Sequence, residues 1–153
     1  MSLMNKEQIM EIIPHRDPFL LIDTIEEMEP GQRVVATKYM KEDEFWFKGH
    51  FPGYPVVPGV LMLEMLAQAG AVAMLALPEI KVIGLLEPYP KGGKIGLFGG
   101  VKDAKFRRQV VPGDLLKLEV EIIKVKGPIG VGKALATVNG EKAVSAEITF
   151  AIK

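Results

Sequence analysis

Apolar and polar residues alternate along two stretches near the C-terminus, with the period of two that is typical of half-buried strands. The apolar positions are Leu116, Leu118, Val120 and Ile122 in the first stretch and Val144, Ala146, Ile148, Phe150 and Ile152 in the second. An extended segment, 133–138, precedes the second stretch, and Asn139-Gly140 between them suits a type I′ hairpin turn. These segments predict antiparallel strands that bury one face.

The N-terminal half predicts two more strands and a short helix. Extended segments 19–29 and 32–40 are separated by the turn dipeptide Pro30-Gly31, and residues 94–102 predict a further strand. Isoleucines at helical spacing predict a helix over residues 6–13 that ends before Pro14.

Residues 60–77 are apolar on nearly every face, which is the pattern of a helix surrounded by protein. The apolar stretch is long enough to cross a bilayer. It contains Glu64 and Gln68, however, and a carboxylate near the middle of a membrane helix is costly, so we expect a buried helix and no membrane association. One such helix against about six antiparallel strands predicts the α+β class. Because a single helix leaves some sheet edge open, self-association is expected.

Length and composition indicate one domain, residues 4–153, in a chain of 153 residues and 16.8 kDa. Residues 1–3, ahead of a second possible start at Met4, are interpreted as an addition from expression of the protein. Nineteen basic and nineteen acidic residues balance, which argues against nucleic-acid binding. With no cysteine and no segment resembling a signal peptide, the expected location is the cytoplasm.

Several catalytic types lack candidates. The serines are Ser2 and Ser145, neither placed for a triad, and the glycine groups lack the spacing of a phosphate loop. His15 and His50 are too far apart along the chain for a recognisable metal motif, so no metal is expected. His15, between Pro14 and Arg16, is interpreted as a turn residue that forms local hydrogen bonds.

Two remaining residues could transfer protons. His50 lies in the Pro- and Gly-rich segment 49–59, where a rigid backbone would hold it well. Glu64 lies in the apolar helix, where desolvation would raise its pKa, and Gln68 is one turn further on the same face. A Glu64 that reaches solvent or pairs with a cation is an equally good interpretation of the helix alone. A base and an acid without nucleophile or metal suit addition or elimination of water, or double-bond isomerisation.

Three motifs around these residues closely resemble those of the 3-hydroxyacyl-acyl carrier protein dehydratases of bacterial fatty acid synthesis: His50-Phe51-Pro52, Pro58-Gly59-Val60-Leu61 and Glu64-Met65-Leu66-Ala67-Gln68. The resemblance extends to Pro14-His15-Arg16, Lys105-Phe106-Arg107-Arg108 and Val111-Pro112-Gly113-Asp114, and so covers most of the chain. It implies a hot-dog fold, in which an antiparallel sheet wraps a central helix. It also implies dimers, commonly assembled as trimers of dimers, with active sites built by two subunits and needing no cofactor.

The resemblance also implies roles for individual residues. His50 resembles the family's catalytic histidine, and Glu64 its catalytic acid, contributed by the opposite subunit. Gly59 matches the position whose N–H receives the thioester carbonyl, Val56 the one whose carbonyl orients the histidine, and Gln68 a glutamine that supports the acid. Phe51 is assigned to substrate binding. A glutamate at position 64 resembles the broad-specificity dehydratase, whereas the related enzyme that also isomerises has aspartate there.

A basic cluster surrounds Phe106 and consists of Lys102, Lys105, Arg107 and Arg108. It is a candidate docking surface for the acidic acyl carrier protein, and a solvated strand face is the alternative. Two other functions stay open from the residues: a hot-dog hydratase or thioesterase acting on coenzyme A esters, and an acyl-binding module without activity. The connection over residues 80–94 is longer than the resemblance implies.

Overall fold

A computed structural model describes residues 2–76 and 95–153 of the chain. The long connection over residues 80–94 lies outside the described residues. The helices and strands, in chain order, are α1 (Lys6–Met10), β1 (Thr24–Glu29), β2 (Arg33–Tyr39), α2 (Gly59–Leu75), β3 (Gly96–Phe106), β4 (Leu115–Lys126), β5 (Ile129–Val138) and β6 (Glu141–Ile152).

The six strands form one sheet in the order β1-β2-β4-β5-β6-β3, and every neighbouring pair is antiparallel. Helix α2 packs against the inner face of this sheet and contacts strands along its whole width. Its side chains Met65, Leu66, Ala69 and Val72 are fully buried among inward-facing residues of the strands. The α+β class and the hot-dog arrangement predicted from the sequence are therefore confirmed.

The turn chemistry explains how the hairpins close. Asn139 and Gly140 have φ angles of 50° and 80° between β5 and β6, as a type I′ turn requires. Gly31 has a φ of 75° in the turn between β1 and β2. Both predicted turns are therefore present.

Three predicted boundaries were wrong. Strand β1 begins at Thr24 and not at residue 19, because the N–H of Leu21 donates to the Gln68 side chain instead of to a neighbouring strand. Strand β3 continues to Phe106, since pairing with β6 extends to Val144. Helix α1 ends at Met10, and a turn carries the chain on to Ile13.

Phe150 of β6 fixes the distance between α2 and the sheet. A Cβ atom on Gly70 of α2 would overlap Phe150 Cζ, and one on Gly132 of β5 would lie 3.2 Å from Phe150 Cε2. The ring is 2% exposed and therefore cannot move aside into solvent. Both glycines are needed to make room for it. None of the helices in the described ranges is long and apolar enough to cross a membrane.

We expect Gly70→Ala to lower the free energy of unfolding by about 1 kcal/mol or more, because overpacking costs about 1–3 kcal/mol and alanine's helix preference returns about 1 kcal/mol. Urea unfolding at fixed protomer concentration measures the change. Gly49→Ala is the control, since a Cβ there would meet nothing within 4 Å. In a Phe150→Leu background the Gly70→Ala substitution should cost less, and an equal cost in both backgrounds would contradict the packing argument.

Candidate active site

The segment between β2 and α2 holds His50 in a closed loop. The carbonyl of His50 accepts a hydrogen bond from the N–H of Val56 at 2.9 Å. In return, the His50 ring lies with Nδ1 2.8 Å from the Val56 carbonyl oxygen. The ring also stacks on Phe51, with centroids 4.0 Å apart. Backbone and side chain are thus fixed by the same two residues of the loop.

This hydrogen bond determines which ring nitrogen of His50 is available for chemistry. A carbonyl oxygen can only accept, so Nδ1 carries the proton of the neutral imidazole. The lone pair is then on Nε2, on the other side of the ring. His50 is therefore arranged as a base through Nε2.

The N-terminus of α2 presents free N–H donors beside this loop. Pro58 is the N-cap and provides no side-chain hydrogen bond, and the first turn contains no acidic residue. The N–H groups of Gly59 and Val60 precede the first intrahelical hydrogen bond, and no residue in the described ranges accepts from them. Such an end, with the positive pole of the helix dipole, suits an oxygen that gains negative charge.

Phe106 covers this end of the helix, a contact that the sequence did not indicate. A Cβ atom on Gly59 would lie 2.7 Å and 2.8 Å from Phe106 Cε1 and Cδ1. Any side chain at position 59 would displace the ring, which is about half exposed. Gly59 therefore lets strand β3 approach the start of α2.

Glu64 is held by Gln68, one turn further along α2. The Gln68 amide nitrogen donates to Glu64 Oε2 at 3.0 Å and to the Phe19 carbonyl at 2.8 Å. Its amide oxygen accepts from the N–H of Leu21 at 2.8 Å. Gln68 is 1% exposed, so the three hydrogen bonds fix both its position and its orientation.

Burial raises the pKa of Glu64, and the hydrogen bond from Gln68 opposes that rise to a smaller extent. The side chain is 17% exposed. Of the two interpretations that the sequence left open, the structure therefore favours the desolvated carboxyl, which keeps its proton to higher pH than an exposed glutamate.

His15 is not the locally hydrogen-bonded turn residue that the sequence indicated. Its ring Nε2 lies 3.7 Å from Glu64 Oε2, and its Nδ1 is buried without a partner in the part of the chain that the structure describes. The only sequence signal for this contact was the Pro14-His15-Arg16 motif within the resemblance, since the spacing of 49 residues carries none.

Within residues 2–76 and 95–153, the described contacts of His50 and those of Glu64 involve different residues and do not join the two side chains. No group of three or more metal-ligating side chains occurs in these same ranges. One chain therefore presents His50 and Glu64 as two separately supported side chains.

The basic cluster is not uniform. Arg108 donates to Glu141 at 2.6 Å and to Asp114 at 3.1 Å, so its guanidinium ties the segment after β3 to the start of β6 and to the turn before β4. Lys102, Lys105 and Arg107 are exposed. Lys105 and Arg107 border a groove on the outer face of the sheet that also carries acidic side chains, among them Glu119, Glu121 and Glu147.

Comparison with known proteins agrees with this geometry. A model of the FabA-like domain matches residues 13–147. The chain is 60% identical over 146 residues to the 3-hydroxyacyl-[acyl-carrier-protein] dehydratase FabZ of Clostridium acetobutylicum, covering 95% of this chain and 96% of that protein. The FabZ dehydratase of Clostridium novyi is 58% identical over 146 residues, with 95% of each chain covered. The chain belongs to the FabZ dehydratases of the FabA-like family.

A solved structure supports the fold independently of close sequence similarity. The chain matches a solved structure of the dehydratase heterocomplex ApeI:P of Xenorhabdus doucetiae with a TM-score of 0.75 at 15% identity. The match covers 95% of this chain and 91% of that chain. At that identity the match concerns the hot-dog fold alone.

The raised pKa of Glu64 predicts a specific dependence of stability on pH. At low pH the carboxyl is protonated in both states and has no effect; as pH rises above the unfolded pKa, the unfolded chain ionises more readily and stability falls. Glu64→Gln cannot ionise, so we expect its free energy of unfolding, relative to wild type, to increase from about pH 4 to neutrality.

Urea unfolding at pH 4 and pH 7.5 measures this difference. Glu42→Gln, at an exposed position, serves as the control and should show no such increase. A Glu64→Gln difference that is constant with pH, or that decreases, would contradict a desolvated carboxyl.

Proposed function

We propose that this chain dehydrates (3R)-3-hydroxyacyl thioesters of acyl carrier protein to trans-2-enoyl thioesters in bacterial fatty acid synthesis, in the cytoplasm and without a cofactor. The observations that carry the proposal are a His50 whose Nδ1 faces the Val56 carbonyl, which leaves Nε2 as the basic nitrogen, and a Glu64 whose pKa is raised by burial. The FabZ names of relatives that are 58–60% identical over 95% of the chain support the same activity.

His50 is the general base of the proposed reaction. Its Nε2 removes the α-proton, which lies next to the thioester carbonyl, and negative charge then develops on the carbonyl oxygen. The N–H of Gly59 donates to that oxygen, where the positive end of the α2 dipole adds to the stabilisation. Val56 orients the base, and Phe51, stacked on the ring, borders the position of the acyl chain.

Glu64 is the general acid. Its proton passes to the β-hydroxyl group, the C–O bond breaks, and water leaves as the α,β double bond forms. Gln68 holds the carboxylate that remains.

The base and the acid meet across a dimer in this proposal. Strand β3 is at the edge of the sheet and exposes Leu97, Phe98 and Val101, a long apolar edge of the kind that pairs with another chain. Pairing of β3 with its copy would continue the sheet and bring α2 of one subunit towards the other. Each dimer would then contain two sites, and three dimers would form the hexamer that the resemblance implies.

The shared site predicts complementation between inactive subunits. We expect His50→Ala and Glu64→Gln each to reduce turnover by about 10²- to 10⁴-fold, as general acid–base groups typically do. After subunit exchange in an equal mixture, about a quarter of wild-type activity should return, because half of the dimers are hybrids with one intact site each.

The control mixes His50→Ala with the His50→Ala, Glu64→Gln double variant, in which no hybrid dimer has an intact site. Exchange is verified with differently tagged subunits. Near wild-type turnover by either single variant would reject the proposed roles, and verified exchange without recovery would reject the shared site.

We further propose that acyl carrier protein docks on the exposed members of the basic cluster, Lys102, Lys105 and Arg107. Lys102 and Lys105 lie on β3, the strand that ends over Gly59 at Phe106, and Arg107 follows directly after it. An acidic partner bound there would place its acyl chain next to the N-terminus of α2. Arg108 contributes to the same face, but its ion pairs with Asp114 and Glu141 make it a structural residue as well.

We expect Lys102→Glu and Arg107→Glu to raise KM for carrier-protein substrates at low salt and to leave KM for a short thioester nearly unchanged. The difference should shrink with added salt, whose screening length is about 10 Å at 0.1 M. Lys124→Glu is the control, because it makes the same charge change on β4, three strands away. Equal losses on both substrates would show that the residues support the fold instead.

A further inference from the structure

His15 faces the acid of the proposed reaction from outside helix α2. Its Nε2 is 3.7 Å from Glu64 Oε2, and the two side chains are 18% and 17% exposed. This separation is longer than a hydrogen bond, but it directs one ring nitrogen of His15 at one oxygen of the carboxyl. The contact occurs where water is largely excluded, so the proton position on His15 matters for Glu64.

The backbone around His15 is fixed by the neighbouring arginine. The guanidinium of Arg16 donates to the carbonyls of Met10 at 3.0 Å, Ile13 at 3.0 Å and His15 at 2.7 Å. These hydrogen bonds join the turn to the end of α1 and leave the His15 ring as the part directed at Glu64. The hydrogen bonds of Arg16 therefore fix the backbone from which the His15 ring reaches the carboxyl.

The surroundings of His15 select one protonation state. Nδ1 is buried and has no hydrogen-bond partner within the described residues, so a proton there would be an unsatisfied donor. Burial, and to a smaller extent the charge of Arg16, lower the pKa of His15. The ring is consequently neutral, and its single proton lies on Nε2, the nitrogen that faces Glu64.

We propose that His15 is a positioning residue for Glu64, presenting a neutral Nε2–H to the same carboxyl oxygen that Gln68 binds. The inference rests on the proposed function of Glu64. With both donors at Oε2, Oε1 is left without a hydrogen bond among the described residues, and it is the oxygen that delivers the proton.

The absence of charge on both donors has a chemical advantage. A cationic histidine beside Glu64 would favour the carboxylate before the reaction and would deplete the acid. Two neutral N–H groups instead give moderate stabilisation to the carboxylate that forms when the proton leaves. Among the described residues, the charged group that acts on His15 is Arg16, and in the proposed dimer the partner subunit's His50 would also face this pair.

The protonation state can be measured without any activity assay. The chain contains two histidines, so protein labelled with ¹⁵N-histidine gives two imidazole spin systems, and His50→Ala assigns the remaining one to His15. We expect His15 to show the neutral Nε2–H tautomer at neutral pH and above, and to titrate below the ordinary pKa of a histidine. A ring that titrates near the ordinary pKa of about 6.5, or that carries its proton on Nδ1, would overturn the proposal.

Kinetics test the coupling to Glu64. His15→Phe keeps a ring and removes the donor, whereas His15→Gln keeps a neutral N–H donor. We expect His15→Phe to lower kcat/KM by about 10- to 100-fold, the effect of losing one hydrogen bond to a charged group. The alkaline limb of its pH profile should move to higher pH, because the carboxylate of Glu64 has lost a donor.

His15→Gln should restore most of the activity and return the alkaline limb towards wild type. An unshifted limb in folded His15→Phe, or equal losses in both variants, would show a packing role and reject the proposal. Loss of the proposed function itself would be seen separately, as wild-type protein without dehydratase activity or as full activity in Glu64→Gln. If His15→Phe does not fold, the tautomer measurement decides.

Discussion

Helix α2 is apolar on nearly every side, and packing against the sheet buries most of it; this burial determines how the polar groups on the helix are used. A buried amide or carboxyl requires internal partners, because an unsatisfied one costs about 1–3 kcal/mol. Gln68 meets that requirement with three hydrogen bonds, to Phe19, Leu21 and Glu64. One side chain thereby attaches the N-terminal segment to the helix and fixes the carboxyl.

The same constraint distinguishes the beginning of the helix from the rest of it. Further along, Gly70 and Gly132 let Phe150 fill the space between α2 and the sheet, so that region is a packed core. At the N-terminus of α2, Gly59 leaves space for Phe106 of β3. Its N–H has no hydrogen-bond acceptor among the described residues. Glycine thus serves close packing in one half of the helix and an available donor in the other.

The sequence predicted those features that depend on local patterns. Three of these patterns depend only on neighbours in the chain: the alternation along residues 116–122 and 144–152, the apolar character of α2, and the Asn139-Gly140 turn. The elements predicted from them were confirmed. The start of β1 was wrong because a side chain 47 residues away takes the N–H of Leu21. Two contacts were missed for the same reason: His15 faces Glu64, and Phe106 covers Gly59. Both depend on the packing of segments that are distant in the sequence.

The two histidines show how the environment assigns different chemistry to one side chain. Nδ1 of His50 faces the Val56 carbonyl, so that nitrogen holds the proton and Nε2 keeps a lone pair. Nδ1 of His15 has no partner among the described residues, and its Nε2 faces a carboxyl, so the proton belongs on Nε2. A free lone pair suits a base, and a neutral N–H suits the support of an anion. In the proposed reaction the two rings therefore serve opposite ends of one proton transfer.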